Sequence, residues 1–143
     1  MNASLPLAPA AAATLTRWHR MIESKDLGQL STLLHPQAVF RSPMAFTPYE
    51  SAAAVDLILS TVVTVFEDFA YHRELASADG LDVVLEFSAR VGQRQLKGID
   101  MIRFDETGLI TDFEVMVRPM SGLQVLGEEM GKRLAPQLAA LKR

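Results

Sequence analysis

The chain has 143 residues, of which 49% are hydrophobic and 22% are charged, and its formal net charge at neutral pH is -3. This length and composition are typical of one soluble globular domain whose core needs neither disulfides nor metal ions. The absence of cysteine excludes disulfides, thiolate catalysis and cysteine-based zinc sites. The acidic balance, with no basic stripe along any predicted element, argues against a nucleic-acid partner.

The N-terminal segment M-N-A-S-L-P-L-A-P-A-A-A-A has no basic start and contains two prolines, so we do not interpret it as a secretion signal. The longest apolar stretch elsewhere, residues 52–66, is shorter than the roughly 20 residues that a membrane-spanning helix needs. We therefore expect a cytoplasmic protein with no membrane partner. Residues 1–143 are expected to form a single domain, in which residues 1–8 are a loose N-terminal arm.

Two helices are predicted at the start of the domain. The first covers residues 9–24, where apolar residues recur at the spacing of one buried helix face: Leu15, Trp18, Met21 and Ile22. A second, short helix is predicted from Asp26, which with Gln29 forms a capping pattern, to the His35-Pro36 pair.

An extended segment and a long helix follow. Residues 38–46 are expected to form a short strand or extended loop, because Pro43 disfavours helical geometry in the residue before it. Thr47 as the cap, Pro48 in the first turn and Glu50 reaching back predict a helix over residues 48–66. That helix is apolar around most of its circumference, so we expect the rest of the protein to cover it.

In the second half of the chain, apolar and polar residues alternate, as they do in β-strands. Four strands are predicted, over residues 69–77, 81–91, 93–104 and 109–119, with short Gly-containing turns between them. Ser121 with Gln124 predicts a final helix over residues 121–142, which Pro136 breaks or kinks. This order predicts an α+β fold, in which helices cover one face of a curved antiparallel sheet.

One carboxylate falls on the apolar face of this sheet. If the two-residue turn Gly92-Gln93 pairs Val91 with Arg94, Asp100 lies opposite Leu85. If the next turn pairs Phe104 with Leu109, Asp100 lies opposite Phe113 on its other side. A carboxylate in such surroundings has a partner, is protonated or borders a wet cavity. Two interpretations stay open: an acid that donates to a ligand oxygen, or a structural Asp satisfied by the Trp18 N–H or by backbone groups.

The element order, together with A-V-F-R-S-P and G-I-D-M-I-R-F-D-E-T-G-L-I-T-D-F-E-V, resembles the nuclear transport factor 2-like superfamily. Within it, the chain is similar to the SnoaL-like proteins. The resemblance implies a cystatin-like α+β barrel: a cone-shaped curved sheet wrapped around the N-terminal helices, here with an extra C-terminal helix. It also implies an apolar pocket and a homodimer. The fold alone does not identify an activity, because it hosts many.

The ketosteroid isomerases of that superfamily allow a comparison of individual residues. Their strand motif I-D-H-F-R-F resembles residues 99–104, which places Asp100 where their oxyanion-binding aspartic acid lies. Their catalytic tyrosine falls on Trp18 and their general base falls on Ser42. A serine cannot remove a proton from carbon unaided, so the resemblance does not carry over steroid isomerisation. The catalytic aspartate of related epoxide hydrolases and cyclases falls near Val115.

From these comparisons we predict a ligand pocket with Asp100 as its candidate catalytic group. Its predicted lining is Trp18, Phe40, Ser42, Met44, Phe46, Phe87, Asp100, Ile102, Phe113 and Val115. The predicted function is binding of a small apolar ligand that carries a polar group, with the physiological role unknown. The alternative is an enzyme of the isomerase, cyclase or hydrolase type that uses Asp100 as general acid or oxyanion donor.

Other candidate groups are weaker. His19, His35 and His72 lie at no metal-ligand spacing, and we expect neither a metal nor a cofactor. Arg73 is placed on the inner side of its strand with Leu75, as a group that recognises a ligand carboxylate or as a charge at the edge of the sheet. A third possibility is a structural role for the outer sheet face, where apolar residues predict a homodimer interface: Val84, Met101 and Met116.

Overall fold

The computed structural model describes residues 5–141, and it describes side-chain surroundings as far as residue 137. Positions 1–4 of the expected arm, and position 142 of the expected last helix, lie outside the described residues. Residues 5–8 do not form a loose arm. Leu5, Leu7 and Ala8 pack against the core, and the Ala8 N–H donates to the Gly80 carbonyl over 2.9 Å.

Three helices cover one face of a curved six-stranded sheet that is not closed. The helices are α1 (Pro9–Ser24), α2 (Ala52–Val65) and α3 (Met120–Leu141). The strands are β1 (Leu34–Arg41), β2 (Tyr49–Glu50), β3 (Glu67–Ala76), β4 (Asp82–Val91), β5 (Arg94–Phe104) and β6 (Ile110–Arg118). Their order in the sheet is β2-β1-β6-β5-β4-β3, with β1 parallel to β6 and all other neighbours antiparallel. The predicted α+β class, curved sheet and C-terminal helix are confirmed.

Helix α1 forms as predicted and is fixed to the β5–β6 turn. Its stripe packs into the core, where Trp18 is 2% exposed. The Thr14 hydroxyl donates to the Gly108 carbonyl over 2.6 Å. Gly108 has φ of 90°, and a Cβ there would lie 2.5 Å from the Ala10 carbonyl oxygen, so only glycine allows this approach. The close contact determines where Trp18 lies above the sheet.

Two helix starts were predicted wrongly, the first because a local side chain offers the backbone another partner and the second because strand pairing intervenes. Asp26 Oδ1 accepts from the Gly28 N–H over 3.0 Å in a turn, and only a short 3-10 helix follows, at Leu30–Leu33. Thr47 is not a helix cap either. Residues 49–50 pair with β1, and α2 begins after Ser51, whose hydroxyl accepts from the Ala54 N–H over 3.0 Å.

The predicted β4–β5 register is confirmed, including Val91 opposite Arg94 and Leu85 opposite Asp100. The β5–β6 register was predicted wrongly, because Asp100 pairs with Val115 instead of Phe113. A bulge near the start of β6 and a longer loop, in which Asp105 Oδ1 accepts two backbone N–H groups, together move the pairing by two residues. A shift of two leaves the side chains from Phe113 onward on their predicted faces, whereas Ile110, which precedes the bulge and pairs with Phe104, turns inward and is fully buried.

Strand β3 contains two irregularities in its pairing with β4. The second one reverses the predicted inward and outward directions of the side chains that follow it. Between Tyr71 and Glu74 the register against β4 shifts by one residue, so Glu74 pairs with the inward-facing Leu85. Arg73 and Leu75 therefore face outward, contrary to prediction. Leu75 is 62% exposed, and Arg73 forms an ion pair of 2.8 Å with Glu86.

The outer face of the sheet carries a charged cluster beside apolar side chains. Glu86 lies between Arg73 and Lys97, and hydrogen bonds from these two cations hold the pKa of its carboxyl well below its usual range. Met116 on this face is 45% exposed, while Val84 and Met101 are half-buried. The homodimer remains a prediction, which a mass measurement in solution would test. Among the described helices, none is both long and apolar enough to cross a bilayer.

Candidate functional site

A cavity of about 310 Å³ lies between the inner face of the sheet and the helices. Its lining is mostly apolar and comes from the three helices, from β2, β3, β5 and β6, and from the segment from Phe40 to Met44. Cavities of this size and character are typical of small-molecule sites in proteins. The polar groups of the lining are few, so their positions determine what the cavity can recognise.

Three of these polar groups form a chain of hydrogen bonds. Trp18 Nε1 donates to the Tyr71 hydroxyl oxygen over 2.9 Å, and the Tyr71 hydroxyl donates to Asp100 Oδ2 over 2.6 Å. The three residues come from α1, β3 and β5, so the chain forms only when the helix docks on the sheet. Asp100 thus has a defined partner, and its Oδ1 is the oxygen through which it can meet a ligand.

Burial changes the acidity of Asp100. The residue is 6% exposed, and desolvation raises the pKa of its carboxyl from an ordinary 3.8 to about 7, although the Tyr71 hydrogen bond opposes the rise. Burial, and then the charge of Asp100, raise the pKa of the Tyr71 hydroxyl well above its usual range. Tyr71 therefore stays a donor, while Asp100 gains or loses its proton near neutral pH. The acid can donate to a carbonyl oxygen in one state and accept a proton in the other.

A second layer holds Tyr71 in place. The rings of His19 and Phe69 contact it edge-on, with centroid distances of 5.2 Å and 4.9 Å. His19 Nε2 lies 3.0 Å from Glu74 Oε2, which the β3 irregularity turns toward the inside. Tyr71 is therefore fixed by two aromatic contacts as well as by its hydrogen bonds.

Most of the predicted lining lies together around the cavity: Trp18, Phe40, Ser42, Met44, Asp100, Phe113 and Val115. Three predicted residues do not line it. Phe46 points into solvent and is 102% exposed. Phe87 is covered by the rings of Phe66 and Phe69, and Ile102 is fully buried in the core.

Sequence reasoning missed Tyr71 as a site residue and most of the helical lining. Alternation along β3 puts Tyr71 on the inner face, but no sequence pattern links its hydroxyl to Asp100, which lies 29 positions away. The apolar circumference of α2 was a usable signal, since a helix covered on all sides can border a cavity as well as a core. The missed residues of the helices and of the α1 cap that line the cavity are Ile22, Lys25, Ile58, Leu59, Val62, Val63, Leu126, Gly127, Met130, Gly131, Leu134 and Ala135.

The arrangement of side chains in the cavity differs from the one that the resemblance to ketosteroid isomerases implies. Trp18 lies at the polar end of the cavity, and a tyrosine reaches Asp100 there from β3 instead of from α1. The Ser42 hydroxyl accepts from the Met44 N–H over 3.0 Å and thereby shapes the loop. Among the described lining residues, Asp100 is the only carboxylate. The described residues contain no group of three side chains able to hold a metal ion.

Comparison with known proteins places the chain among similar sequences and structures. The family model of the SnoaL-like domain matches residues 15–113. A crystal structure from Pseudomonas aeruginosa, described as a steroid delta-isomerase, is 72% identical with a TM-score of 0.92, and the alignment covers 95% of this chain and 99% of that one. No functionally curated protein matches the chain significantly.

Two further structures are more distant. An uncharacterised bacterial protein with a cystatin-like fold from Silicibacter pomeroyi is 30% identical with a TM-score of 0.82, and the alignment covers 96% of this chain and 93% of that one. The epoxide hydrolase/cyclase-like enzyme SalBIII, described as having a role in pyran ring formation in polyether salinomycin, is 17% identical with a TM-score of 0.63, and the alignment covers 77% of this chain and 91% of that one. At that identity the likeness supports the fold and not the reaction.

Proposed function

Because the chain belongs to the SnoaL-like domain family, we propose that it binds an apolar small molecule in its cavity and contacts an oxygen of that molecule through Asp100. The observation that carries the proposal is a single buried acid, fixed by Tyr71, at the polar end of an otherwise apolar cavity. The apolar lining supplies affinity, because binding removes apolar surface from water. Asp100 supplies orientation, because few other groups in the lining can form hydrogen bonds.

A substitution that fills the cavity tests this proposal. Val115 lines the cavity opposite Asp100, whereas Met116 is the next residue of β6 and faces outward. We expect Val115→Phe to weaken binding of the fluorescent apolar probe N-phenyl-1-naphthylamine about tenfold or more, because leaving probe surface equal to about two CH₂ groups in water costs about 1.4 kcal/mol. Met116→Phe, the matched control, should bind the probe as the parent protein does.

Two results would count against binding in this cavity. The first is a parent protein that gives no saturable fluorescence increase with the probe. The second is equal affinity in both variants, provided that urea unfolding shows both to be folded, because the probe would then bind elsewhere on the surface.

Catalysis of a proton shift is a second candidate function. It is favoured by the pKa of Asp100 near 7 and by the 72% identity to a chain described as a steroid delta-isomerase. Ionised Asp100 would remove a proton from the carbon between a carbonyl and a double bond, and the electron pair would move into a dienolate. The same carboxyl would return the proton to the far carbon, so that the product is the conjugated isomer with no change in composition.

The pH dependence of turnover separates two roles of Asp100. Incubation with a β,γ-unsaturated ketosteroid would be followed by the ultraviolet absorbance of the conjugated enone. If Asp100 is the base, the rate rises with pH through about 7, because the ionised form reacts. If Asp100 donates to the oxyanion, the rate falls over the same range. A rate equal to that of buffer alone would exclude this candidate and leave binding as the function.

A further inference from the structure

A lysine, Lys25, lies at the edge of the mostly apolar cavity. Lys25 ends α1 and lines the cavity, and it is exposed to solvent, whereas Asp100 is buried. In the described part of the chain, its ammonium has neither an ion-pair nor a hydrogen-bond partner. The neighbouring Asp26 uses Oδ1 to hold the Gly28 N–H. The cavity thus has a cation without a partner at its edge and an acid at its polar end.

The backbone of Lys25 supports a role for its side chain. Its φ of 56° and ψ of 29° are left-handed, in the position after a helix where glycine is usually found. This conformation is disfavoured for a residue that has a Cβ. Such backbone strain is concentrated at functional sites, which makes the lysine a candidate for ligand contact.

We propose that the ligand of this cavity is an apolar molecule with an anionic group, which Lys25 binds at the entrance while Asp100 binds an oxygen at the other end. This inference rests on the proposed binding function. Trp18, which belongs to the polar chain, and Lys25, which caps the C-terminus of α1, are seven positions apart, which corresponds to about 10 Å along the helix axis. A ligand that contacts both Lys25 and Asp100 then needs polar groups on the order of 10 Å apart, as in a medium-chain hydroxy acid.

The other charges of the site agree with an anionic ligand. Among the described lining residues, Lys25 and Asp100 are the only ones with ionisable acidic or basic side chains other than tyrosine. Asp100 is protonated over part of the physiological range, so it need not repel a carboxylate bound at the far end. The apolar residues between the two groups match the body of the ligand.

The test uses the pair 10-hydroxydecanoate and methyl 10-hydroxydecanoate, which differ in charge at one end only. Each compound displaces bound N-phenyl-1-naphthylamine from the parent protein, from Lys25→Met and from Lys25→Arg. An exposed ion pair contributes less than about 1 kcal/mol, so we expect Lys25→Met to bind the acid about three- to fivefold more weakly. The ester should bind both proteins equally, and Lys25→Arg should bind the acid as the parent protein does. The preference for the acid should decrease as salt is added.

The outcomes separate this inference from the proposed function. If both compounds displace the probe and Lys25→Met binds the acid unchanged, the anion site is refuted and the binding function stands. If the probe binds but neither compound displaces it, the ligand class is likewise refuted. If neither the probe nor either compound binds the parent protein, the proposed function fails, and the anion site fails with it.

Discussion

Asp100→Asn is expected to abolish most of the loss of stability that the parent protein shows as pH rises from about 4 to about 7. The folded protein holds the pKa of Asp100 near 7, above its ordinary value of 3.8, so the folded state binds more protons in this window than the unfolded state does. The free energy of unfolding therefore falls as pH rises through the window and levels off above pH 7. Each tenfold change in proton affinity is worth about 1.4 kcal/mol, which gives a loss of at most about 4 kcal/mol.

Urea unfolding at a series of pH values measures this effect. Asparagine has the shape of aspartate, and its Oδ1 can still accept from the Tyr71 hydroxyl. At pH 8 the variant should be more stable than the parent protein by on the order of 2 to 4 kcal/mol. Below pH 4 the two curves should converge, because Asp100 is then neutral in both the folded and unfolded parent. This convergence is the internal control.

Glu86 makes the protein less stable as pH falls, which is opposite to the effect of Asp100. Arg73 and Lys97 hold the pKa of Glu86 below its usual range, so the stability that this group contributes is present above its ordinary pKa and is lost in strong acid. Glu86 is present in both proteins, so the difference between their curves isolates Asp100. A difference that stays constant from pH 4 to pH 8 would show that Asp100 is ionised at its ordinary pKa and is not in an apolar setting.

The face on which Asp100 lies was predictable from sequence, because two local rules sufficed for it. Strand alternation from the two-residue turn at Gly92 placed Asp100 opposite Leu85, and the structure has that pair. The wrong β5–β6 register did no harm, since an error of two residues preserves the face. A prediction that depends only on the alternation of side chains between the two faces of a strand is therefore reliable where the turns are short.

The partners of Asp100 were not predictable, because they depend on irregularities with no periodic signal. One extra residue in β3 separates Tyr71, which stays inside, from Arg73, which leaves the predicted inner face. The same bulge brings Glu74 inward to His19. Likewise, Thr47 and Pro48 match a helix start in pattern, yet pairing of residues 49–50 with β1 moves the start to Ser51. Tertiary pairing overrode local propensity in each case.

Tyr71→Phe is expected to destabilise the protein by about 1 to 3 kcal/mol at pH 8. The hydroxyl accepts from Trp18 and donates to Asp100, so its removal leaves one buried donor and one buried carboxylate without their partners. The ring contacts with His19 and Phe69 do not need the hydroxyl, so the fold itself should survive. Because the Tyr71 hydrogen bond lowers the pKa of Asp100, the variant should titrate Asp100 above about 7.

Carbon-13 NMR of the Asp100 carboxyl measures the titration directly, and urea unfolding measures the stability. Combining Tyr71→Phe with Asp100→Asn gives a double-mutant cycle. Its coupling free energy at pH 8 should exceed that at pH 4, because the hydroxyl helps a charged acceptor more than a neutral one. The Trp18 N–H loses its acceptor in every Tyr71→Phe protein, so that loss cancels in the cycle. Unchanged titration of Asp100 in Tyr71→Phe, or zero coupling at pH 8, would mean that the phenol does not bond to this acid in solution.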